Sequence, residues 1–188
     1  YEIGSGLVGS EMCIRDRVVT STTTYIGKDG NLLEENAINC QVLKIHNPIL
    51  TNTDLMKIRS MKREGFKVVT LPITYYKNTS LQKALDHLFV EADRAHKDGA
   101  NILILSDRGV DENHVAIPSL LAVAGLNQHL VETKKRTSLA VILESGEPRE
   151  VHHFATLLGY GACAINPYLV QDLSLIHISE PTRPEPIS

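Results

Sequence analysis

The sequence predicts an α/β domain, a parallel βαβαβαβ sheet with flanking helices that resembles an incomplete β/α barrel. One observation is a set of short segments that are apolar on both faces, such as ILIL at residues 102–105, which is typical of fully buried strands. A second observation is that amphipathic stretches with helical spacing alternate with these segments. This alternation predicts a parallel sheet covered by helices, either doubly wound or part of a β/α barrel. Four units are too few to close a barrel.

Before the first buried strand, residues 36–48 have an irregular pattern. Residues 51–64 predict a short helix, ended by Gly65, that packs across the end of the sheet with Leu55, Ile58 and Met61 inward. Residues 67–74, KVVTLPIT, are apolar and β-branched and predict a strand. A capping box at Thr79 and Gln82 then predicts a helix that ends at Gly99.

The second half repeats the unit. A strand is expected at residues 101–105, a loop at 106–117, a helix from Pro118 to the basic residues 134–136, and a strand at 138–143. Ser145 and Pro148 predict the start of the last helix, and a strand follows at residues 163–165. The expected core side of that helix consists of Val151, Phe154, Ala155, Leu157 and Leu158, and Gly159 and Gly161 end it.

Composition narrows the class of protein. The 188 residues are 43% hydrophobic and 22% charged, with a net charge of −3, so neither a nucleic acid nor an anionic membrane is an expected partner. No apolar run reaches the roughly 18 to 20 residues of a membrane span, and residues 1–10 lack a secretory signal pattern. The cysteines, Cys13, Cys40 and Cys163, match neither a zinc spacing nor a disulfide framework. We therefore expect a cytoplasmic protein, or a plastid protein if the source is eukaryotic.

The two ends have an unusual relationship. DNA that encodes LVGSEMCIRD at residues 7–16 has a reverse complement that encodes SLIHISEPT, which is the sequence of residues 174–182. One inverted DNA element of about thirty bases therefore explains both segments, as a translated sequencing adapter would. We interpret residues 1–17 and 173–188 as foreign tails and residues 18–172 as native. We also expect the parent protein, the longer native chain, to extend beyond both ends.

Functional groups in parallel β/α folds gather where strands end, here at Ser106, Asp107 and Arg108, then at Glu144 and Ser145, then at Asn166 and Pro167. We expect a polar cluster of Asp107, Arg108 and Glu144 that faces a neighbouring domain. The alternative is an ion-pair network that only ties loops to the sheet, and residue types alone favour that alternative.

Weaker patterns carry alternative interpretations. Ser145, Gly146 and Glu147 resemble an anion-binding turn, but Ser145 as a helix cap is favoured. Metal binding is disfavoured for His152 and His153, which point about 100° apart on a helix, and for the loop residues Asp107, Asp111 and His114. The turn at Gly159, Gly161 and Ala162 resembles a phosphate-binding turn, but a helix stop is favoured. Cys40 and Cys163 have no adjacent base and are expected to be inert.

Long segments resemble the central domain of the large chain of glutamate synthases. They are DGANILILSDRGVD at residues 98–111, IPSLLAVAG at 117–125 and ESGEPREVHHFATLLGYGACAINPYL at 144–169. NLLEE at 31–35, PILTNTDL at 48–55 and TLPITY at 70–75 extend the resemblance to nearly all of residues 18–172. The departures are Pro72, the second tyrosine Tyr76, and Cys163 in place of a usual aspartate.

The resemblance implies a parent enzyme that uses FMN and an iron–sulfur cluster to make two glutamates from glutamine and 2-oxoglutarate. It implies flanking glutaminase and FMN synthase domains, and a reductase subunit or ferredoxin as further partners. Because the family's nucleophile and cofactor ligands lie in those other domains, no catalytic, cofactor-binding or metal residue carries over to this chain. Two hypotheses remain: an interdomain scaffold, or an independent β/α module that binds a small phosphorylated ligand.

Overall fold

A computed structural model describes residues 22–27 and 42–179, and it describes side chains as far as Leu173. In chain order the elements are β1 Thr24–Gly27, β2 Val42–Ile45, α1 Asn52–Arg59, β3 Val68–Pro72, β4 Thr74–Tyr76, α2 Leu81–Lys97, β5 Ile102–Ser106, β6 His114–Ala116, α3 Ser119–Glu132, a 3-10 helix Arg136–Ser138, β7 Ala140–Glu144, α4 Val151–Gly159, β8 Ala164–Asn166 and α5 Tyr168–Ser179.

The central sheet confirms the predicted α/β class. Its strands are all parallel and lie in the order β3-β5-β7-β8, so each strand neighbours the next βα unit of the chain. Because β-α-β crossovers are right-handed, a sequential order places α2, α3 and α4 on the same face. This is the arrangement of a β/α barrel rather than of a doubly wound sheet. The four described strands do not close into a barrel.

The larger core lies between the sheet and the three helices. Leu103 and Leu105 of β5 face it together with Val141 and Leu143 of β7. The helices contribute small and branched side chains that let them approach the strands closely: Ala84, Leu88, Ala92, Ala95, Ala122, Val123, Leu126, Leu130 and Leu157. Side chains alternate between faces along a strand, so Ile102 and Ile104 belong to a second core on the other side.

Helix α1 and the antiparallel pair of strands β1 and β2 cover that second face. Leu55 and Ile58 of α1 are buried against Ile102 and Ile104 of β5, and Ile26 of β1 joins the same core. The helix was expected to pack across the end of the sheet; Asn52 and Arg59 do contact strand-end residues, while the apolar side chains of the helix cover the second face. Without helix α1, the apolar face formed by alternate residues of the strands would be exposed to water. Strand β2 also lies within the segment that was expected to be irregular, of which residues 36–41 lie outside the described residues.

The predicted strand at residues 67–74 is two strands. Ile73 is fully buried and lies between them; its N–H donates to the Ser106 carbonyl at 2.9 Å, and its carbonyl accepts from Ile117 N–H at 2.8 Å. Strand β4 then leaves the main sheet and pairs antiparallel with β6. The loop predicted at residues 106–117 therefore contains a strand, which was missed because it is only three residues long.

Several helix ends differ from the predictions. Helix α1 is capped by Thr51 and ends at Arg59, before Gly65. The side chain that caps α2 belongs to Ser80 rather than Thr79. Helix α4 begins only at Val151, whose side chain is 84% exposed, so its expected core position was wrong, as was that of Ala155. The apolar pattern alone could not show that the α4 face is narrow, with Leu157 as its one buried residue.

The last helix crosses the predicted boundary between native and foreign sequence. Helix α5 runs from Tyr168 to Ser179 without a break at residues 172–173. Residues 1–21, 28–41 and 180–188 lie outside the described part of the chain. The assignment of both tails therefore stays a prediction.

Gly161 ends α4 in a left-handed conformation. Its φ is +116°, its N–H donates to the Leu158 carbonyl and the next N–H donates to that of Leu157, as in a Schellman cap. A Cβ at Gly161 would lie 2.5 Å from Asn127 Oδ1. The helix-stop interpretation is thereby confirmed.

We expect Gly161→Ala to lower the free energy of unfolding by about 1 to 3 kcal/mol, because it combines backbone strain with this clash. Gly159→Ala is the matched control, since a Cβ there meets nothing within 4 Å. Urea unfolding of the two variants checks the expectation. Equal stability of the two would show that Asn127 moves away at little cost.

Candidate functional site at the carboxyl edge of the sheet

Three strand ends meet in register at one edge of the sheet. Ser106 of β5 pairs with Glu144 of β7, and Glu144 pairs with Asn166 of β8. The loops that follow carry Asp107 and Arg108 after β5, and Ser145 after β7. The polar side chains that the sequence predicts at this edge therefore lie side by side.

Glu144 is the centre of the first group of contacts. Its side chain is almost completely buried, and its Oε1 accepts from Arg108 Nε at 2.6 Å. Its Oε2 accepts from Ser106 Oγ at 2.7 Å and from Arg59 Nη2 at 2.6 Å. Both carboxylate oxygens thus accept hydrogen bonds, from the end of β5, from the loop after it and from α1. The predicted contact between Arg108 and Glu144 is present, and Arg59 adds a second guanidinium.

These contacts keep Glu144 ionised. Burial opposes the charged form and would raise the pKa of Glu144, but hydrogen bonds from Ser106, Arg108 and Arg59 outweigh it. The net effect is a pKa below the ordinary value of a glutamate. A buried carboxylate held between two cations is the expected solution to its desolvation cost.

Asp107 belongs to a second group rather than to the Glu144 ion pairs. Its Oδ2 accepts from Ser145 Oγ at 2.6 Å and from Gly146 N–H at 3.0 Å. The interpretation of Ser145 as the cap of the next helix was wrong, because its hydroxyl is bound to Asp107 and α4 begins six residues later. Asp107 is linked to Glu144 through the backbone, since its N–H donates to the Glu144 carbonyl at 3.2 Å.

Tyr168 joins the two groups. The Arg108 guanidinium lies over the Tyr168 ring, 3.9 Å from its centroid, in a cation–π contact. Burial, together with the nearby Asp107 carboxylate and its negative charge, raises the pKa of Tyr168 to about 12. Sequence reasoning stopped at Pro167 and missed this side chain, although it directly follows a strand end.

The pKa of Tyr168 predicts a loss of stability in alkali. Between the ordinary tyrosine pKa near 10 and the folded value of about 12, the unfolded chain releases a proton that the folded chain retains. Stability should therefore fall as the pH rises through this window. Tyr168→Phe should flatten that part of the curve relative to Tyr160→Phe, a control on an exposed tyrosine. Identical curves for the two variants would contradict the expectation.

Asn166 ties this edge to the segment before α1. Its Nδ2 donates to the Leu50 carbonyl at 2.9 Å and to Asn52 Oδ1 at 3.0 Å. Its own Oδ1 is buried without a partner within hydrogen-bond geometry, as is Oδ1 of Asp107. The strand-end position of Asn166 was predicted, and its structural contacts with residues 50–52 were not.

An open pocket of about 420 Å³ lies beside the Glu144 group. Arg59 and Arg108 line it, and their side chains are 39% and 47% exposed. Leu55 and Met56 supply an apolar wall, and Asn52, Glu144 and Asp172 complete the lining. This pocket is concave and combines an apolar wall with several polar and charged groups, which is compatible with a small-ligand site.

A second pocket, of about 360 Å³, lies between α3 and α4. His152 and His153 line it together with Glu147, whose Oε2 accepts from Ser119 N–H at 2.8 Å. Glu147 therefore occupies the N-terminus of α3, where a bound anion would otherwise be expected. His153 Nδ1 accepts from the Arg149 N–H at 3.2 Å, so this ring nitrogen is engaged with the backbone.

The other weak candidates are engaged locally. Asp111 is exposed and accepts from the backbone N–H groups of Asn113 and His114 and from the His114 ring. Cys163 is partly buried as a free thiol, and Cys40 lies outside the described residues. Within residues 22–27 and 42–179, no group of three or more His, Cys, Asp or Glu side chains is arranged to hold a metal ion.

The turn at Gly161 lies at the amino edge of the sheet, because it precedes β8. Arg136 Nη2 donates to the Gly161 carbonyl at 3.2 Å, and Arg136 Nε donates to Asn127 Oδ1 at 2.6 Å. The space above the glycine is therefore filled by protein. Phosphate-binding turns of β/α barrels lie at the opposite edge.

The donor set of this chain does not fit the cofactors that the resemblance implies for the parent. An iron–sulfur cluster of the common type needs four cysteine thiolates, and the whole chain has three cysteines. Among the described residues, the N-terminus of α3, where a flavin phosphate could bind, is occupied by the Glu147 carboxylate, and the Gly161 turn is filled by Asn127. Across the described part of the chain, no helix is both long and apolar enough to cross a membrane.

The order of the strands defines a β/α domain of the barrel-like type. The polar side chains at the carboxyl edge of its sheet are hydrogen-bonded mainly to one another. Residues 13–182 match the family model described as the glutamate synthase central domain. The match includes all of the described residues from 22 onward. The chain belongs to the glutamate synthase central domain family.

Individual relatives agree with this membership. The chain is 41% identical over 156 residues to a glutamate synthase (NADPH) large chain of Bacillus subtilis, a match that covers 83% of this chain and 10% of the relative. It is 38% identical over 164 residues to a glutamate synthase (NADH) of Schizosaccharomyces pombe, covering 85% and 8%. It is 37% identical over 163 residues to ferredoxin-dependent glutamate synthase 1, chloroplastic/mitochondrial, of Arabidopsis thaliana, covering 83% and 10%.

The chain thus spans about a tenth of the length of the curated relatives it matches. The names of these relatives include NADPH, NADH and ferredoxin, and their sequence identities to this chain differ little. The comparisons therefore do not distinguish an electron donor for the parent protein.

Proposed function

We propose that this chain is the central, interdomain scaffold segment of a glutamate synthase. The parent would convert glutamine and 2-oxoglutarate into two glutamates, in glutamate biosynthesis and ammonia assimilation. The segment would hold the flanking glutaminase and FMN synthase domains in the relative position that couples their two sites. Membership of the central domain family is the observation that carries this proposal.

The carboxyl edge supports the scaffold role. Asp107, Arg108 and Glu144 are fixed by hydrogen bonds to the sheet, yet the Arg108 guanidinium stays about half exposed. A rigid edge with half-exposed arginine is a suitable surface for a neighbouring domain, since arginine is enriched in protein interfaces. We propose that these three residues form the interdomain polar cluster.

The cofactors and partners of the parent are part of the same proposal. FMN and an iron–sulfur cluster would be held by the flanking domains, and a reductase subunit or ferredoxin would deliver electrons there. This chain would contribute no catalytic residue. The role of this chain would be to position the two active sites of the flanking domains. Its sheet of four strands would resist bending and so set the distance between those sites.

The alternative function, an independent module for a phosphorylated ligand, is less well supported. It would use Gly159, Gly161 and the strand ends to hold the phosphate of the ligand. The Gly161 turn is filled by Asn127, and Glu147 occupies the N-terminus of α3. We therefore keep the scaffold as the proposed function.

The purified 188-residue chain offers a test. We expect it to show neither glutaminase nor glutamate synthase turnover, and no saturable change in FMN fluorescence when FMN is titrated with it. Measurable turnover would refute the scaffold proposal, because the scaffold has no site of its own. Saturable FMN binding would instead favour the independent module.

A further inference from the structure

We propose that the pocket between α1 and the carboxyl edge binds a carboxylate group, with Arg59 and Arg108 as its two cationic contacts. The pocket is lined by Asn52, Leu55, Met56, Arg59, Arg108, Glu144 and Asp172 and has a volume of about 420 Å³. This inference goes beyond the scaffold role, because it assigns a ligand chemistry to one surface of the chain.

The two guanidinium groups are held in place before any ligand arrives. Arg59 uses Nη2 and Arg108 uses Nε to reach opposite oxygens of Glu144, each at 2.6 Å. A guanidinium has five N–H donors in a planar fork, so each arginine retains donors beyond the one that Glu144 accepts. Because both side chains line the pocket and are partly exposed, those donors are available to a second acceptor.

Carboxylate is the chemistry that matches a pair of planar forks. Arginine binds carboxylates through two parallel N–H···O bonds, which are stronger than neutral hydrogen bonds. The side chains of Leu55 and Met56 form a wall that suits the methylene carbons of an acidic side chain or of a short dicarboxylic acid. The Asn52 side chain adds an amide to the same lining.

The charges around the pocket determine how tightly it can bind a carboxylate. Glu144 offsets one arginine, and Asp172 at the rim repels an incoming anion, although its Oδ1 accepts from Asn52 Nδ2 at 3.2 Å. Asp107 lies behind the edge and is bound to Ser145 and Gly146. Removing the charge at Asp172 should therefore strengthen binding, while removing Arg59 should weaken it.

Two sources could supply the carboxylate: a free small acid, or a glutamate or aspartate side chain of an adjoining domain. Only the second source rests on the proposed scaffold function. Calorimetric titration of the 188-residue chain with glutarate and, separately, with a terminally blocked Gly-Glu-Gly peptide distinguishes them. Tighter binding of glutarate indicates a free acid, and binding of the peptide at equal or greater affinity indicates a protein side chain.

The variants make the test specific. We expect Arg59→Gln to weaken binding at least about tenfold, Asp172→Asn to strengthen it about threefold, and Arg63→Gln, on an exposed arginine outside the pocket lining, to leave it unchanged. Because Arg59→Gln could destabilise the fold, the Asp172→Asn variant carries the test independently. Absence of saturable binding to both probes, or unchanged binding in Asp172→Asn, would overturn the proposal while leaving the scaffold function intact.

Discussion

Arg108→Ala in the full-length parent is expected to lower glutamine-dependent glutamate synthesis about tenfold and ammonia-dependent synthesis less than about twofold. The variant removes a hydrogen bond to the buried Glu144 carboxylate and the contact with Tyr168. A hydrogen bond to a charged group contributes about 1.5 to 3 kcal/mol. If this bond keeps the two active sites in their relative position, its loss corresponds to a fall of at least about tenfold in the rate of glutamine-dependent synthesis. Synthesis from added ammonia bypasses transfer between the sites.

Three activities of the purified variant decide this prediction: glutaminase, ammonia-dependent synthesis and glutamine-dependent synthesis. Arg94→Ala is the matched control, because Arg94 is 74% exposed on α2 and lies far from the carboxyl edge. An equal fall in all three activities would indicate general instability of the variant. Unchanged activities would identify Arg108 as a loop residue without a coupling role.

Glu144→Ala is expected to be the most destabilising single substitution at the carboxyl edge. It removes the acceptor for Ser106, Arg59 and Arg108 and opens a cavity in a buried position. Because the two arginines can turn towards water, we expect a loss of about 2 to 3 kcal/mol rather than the larger cost of a fully buried unpaired charge. Urea unfolding measures it. Glu91→Ala, which removes a pair of 3.9 Å on the surface of α2, should change stability by less than about 0.5 kcal/mol.

The same residue predicts the response to acid. The pKa of Glu144 is lowered in the folded chain, so below about 4.5 the unfolded chain binds a proton that the folded chain still rejects. The stabilisation from Glu144 is complete above the ordinary pKa and is lost as the pH falls through the lowered value. Glu144→Gln should remove this part of the acid dependence. If the stability of the wild-type chain and that of Glu144→Gln depend on pH in the same way between pH 3 and pH 6, the assignment is contradicted.

The sheet could be predicted because its strands leave a strong local signal. Segments such as ILIL and AVIL are apolar on both faces, and the helices between them show helical spacing. The short strands β4 and β6 could not be predicted, because three residues are too few to show the alternation of a strand. The location of α1 on the second face also depends on tertiary contacts, since its own pattern only shows that Leu55 and Ile58 are inward.

The candidate site could be predicted because the carboxyl ends of parallel strands all lie at one edge of the sheet. Strand ends of a parallel sheet lie together, so Arg108 and Glu144 were placed in one cluster and are in contact. Arg59 could not be foreseen, because it is 85 residues from Glu144 and comes from the helix on the opposite face. The sequence also could not show that Asp107 turns to Ser145 rather than to Arg108.

Hydrogen–deuterium exchange of the parent, compared with this chain alone, tests most directly whether the carboxyl edge faces the neighbouring domains. The account predicts that amides of residues 108–112, in the exposed loop after β5, exchange at least about tenfold more slowly in the parent. Amides of the buried strand β5 serve as the control and should be protected in both. Equal exchange of residues 108–112 in the two proteins would contradict the interdomain role of the Asp107, Arg108 and Glu144 cluster.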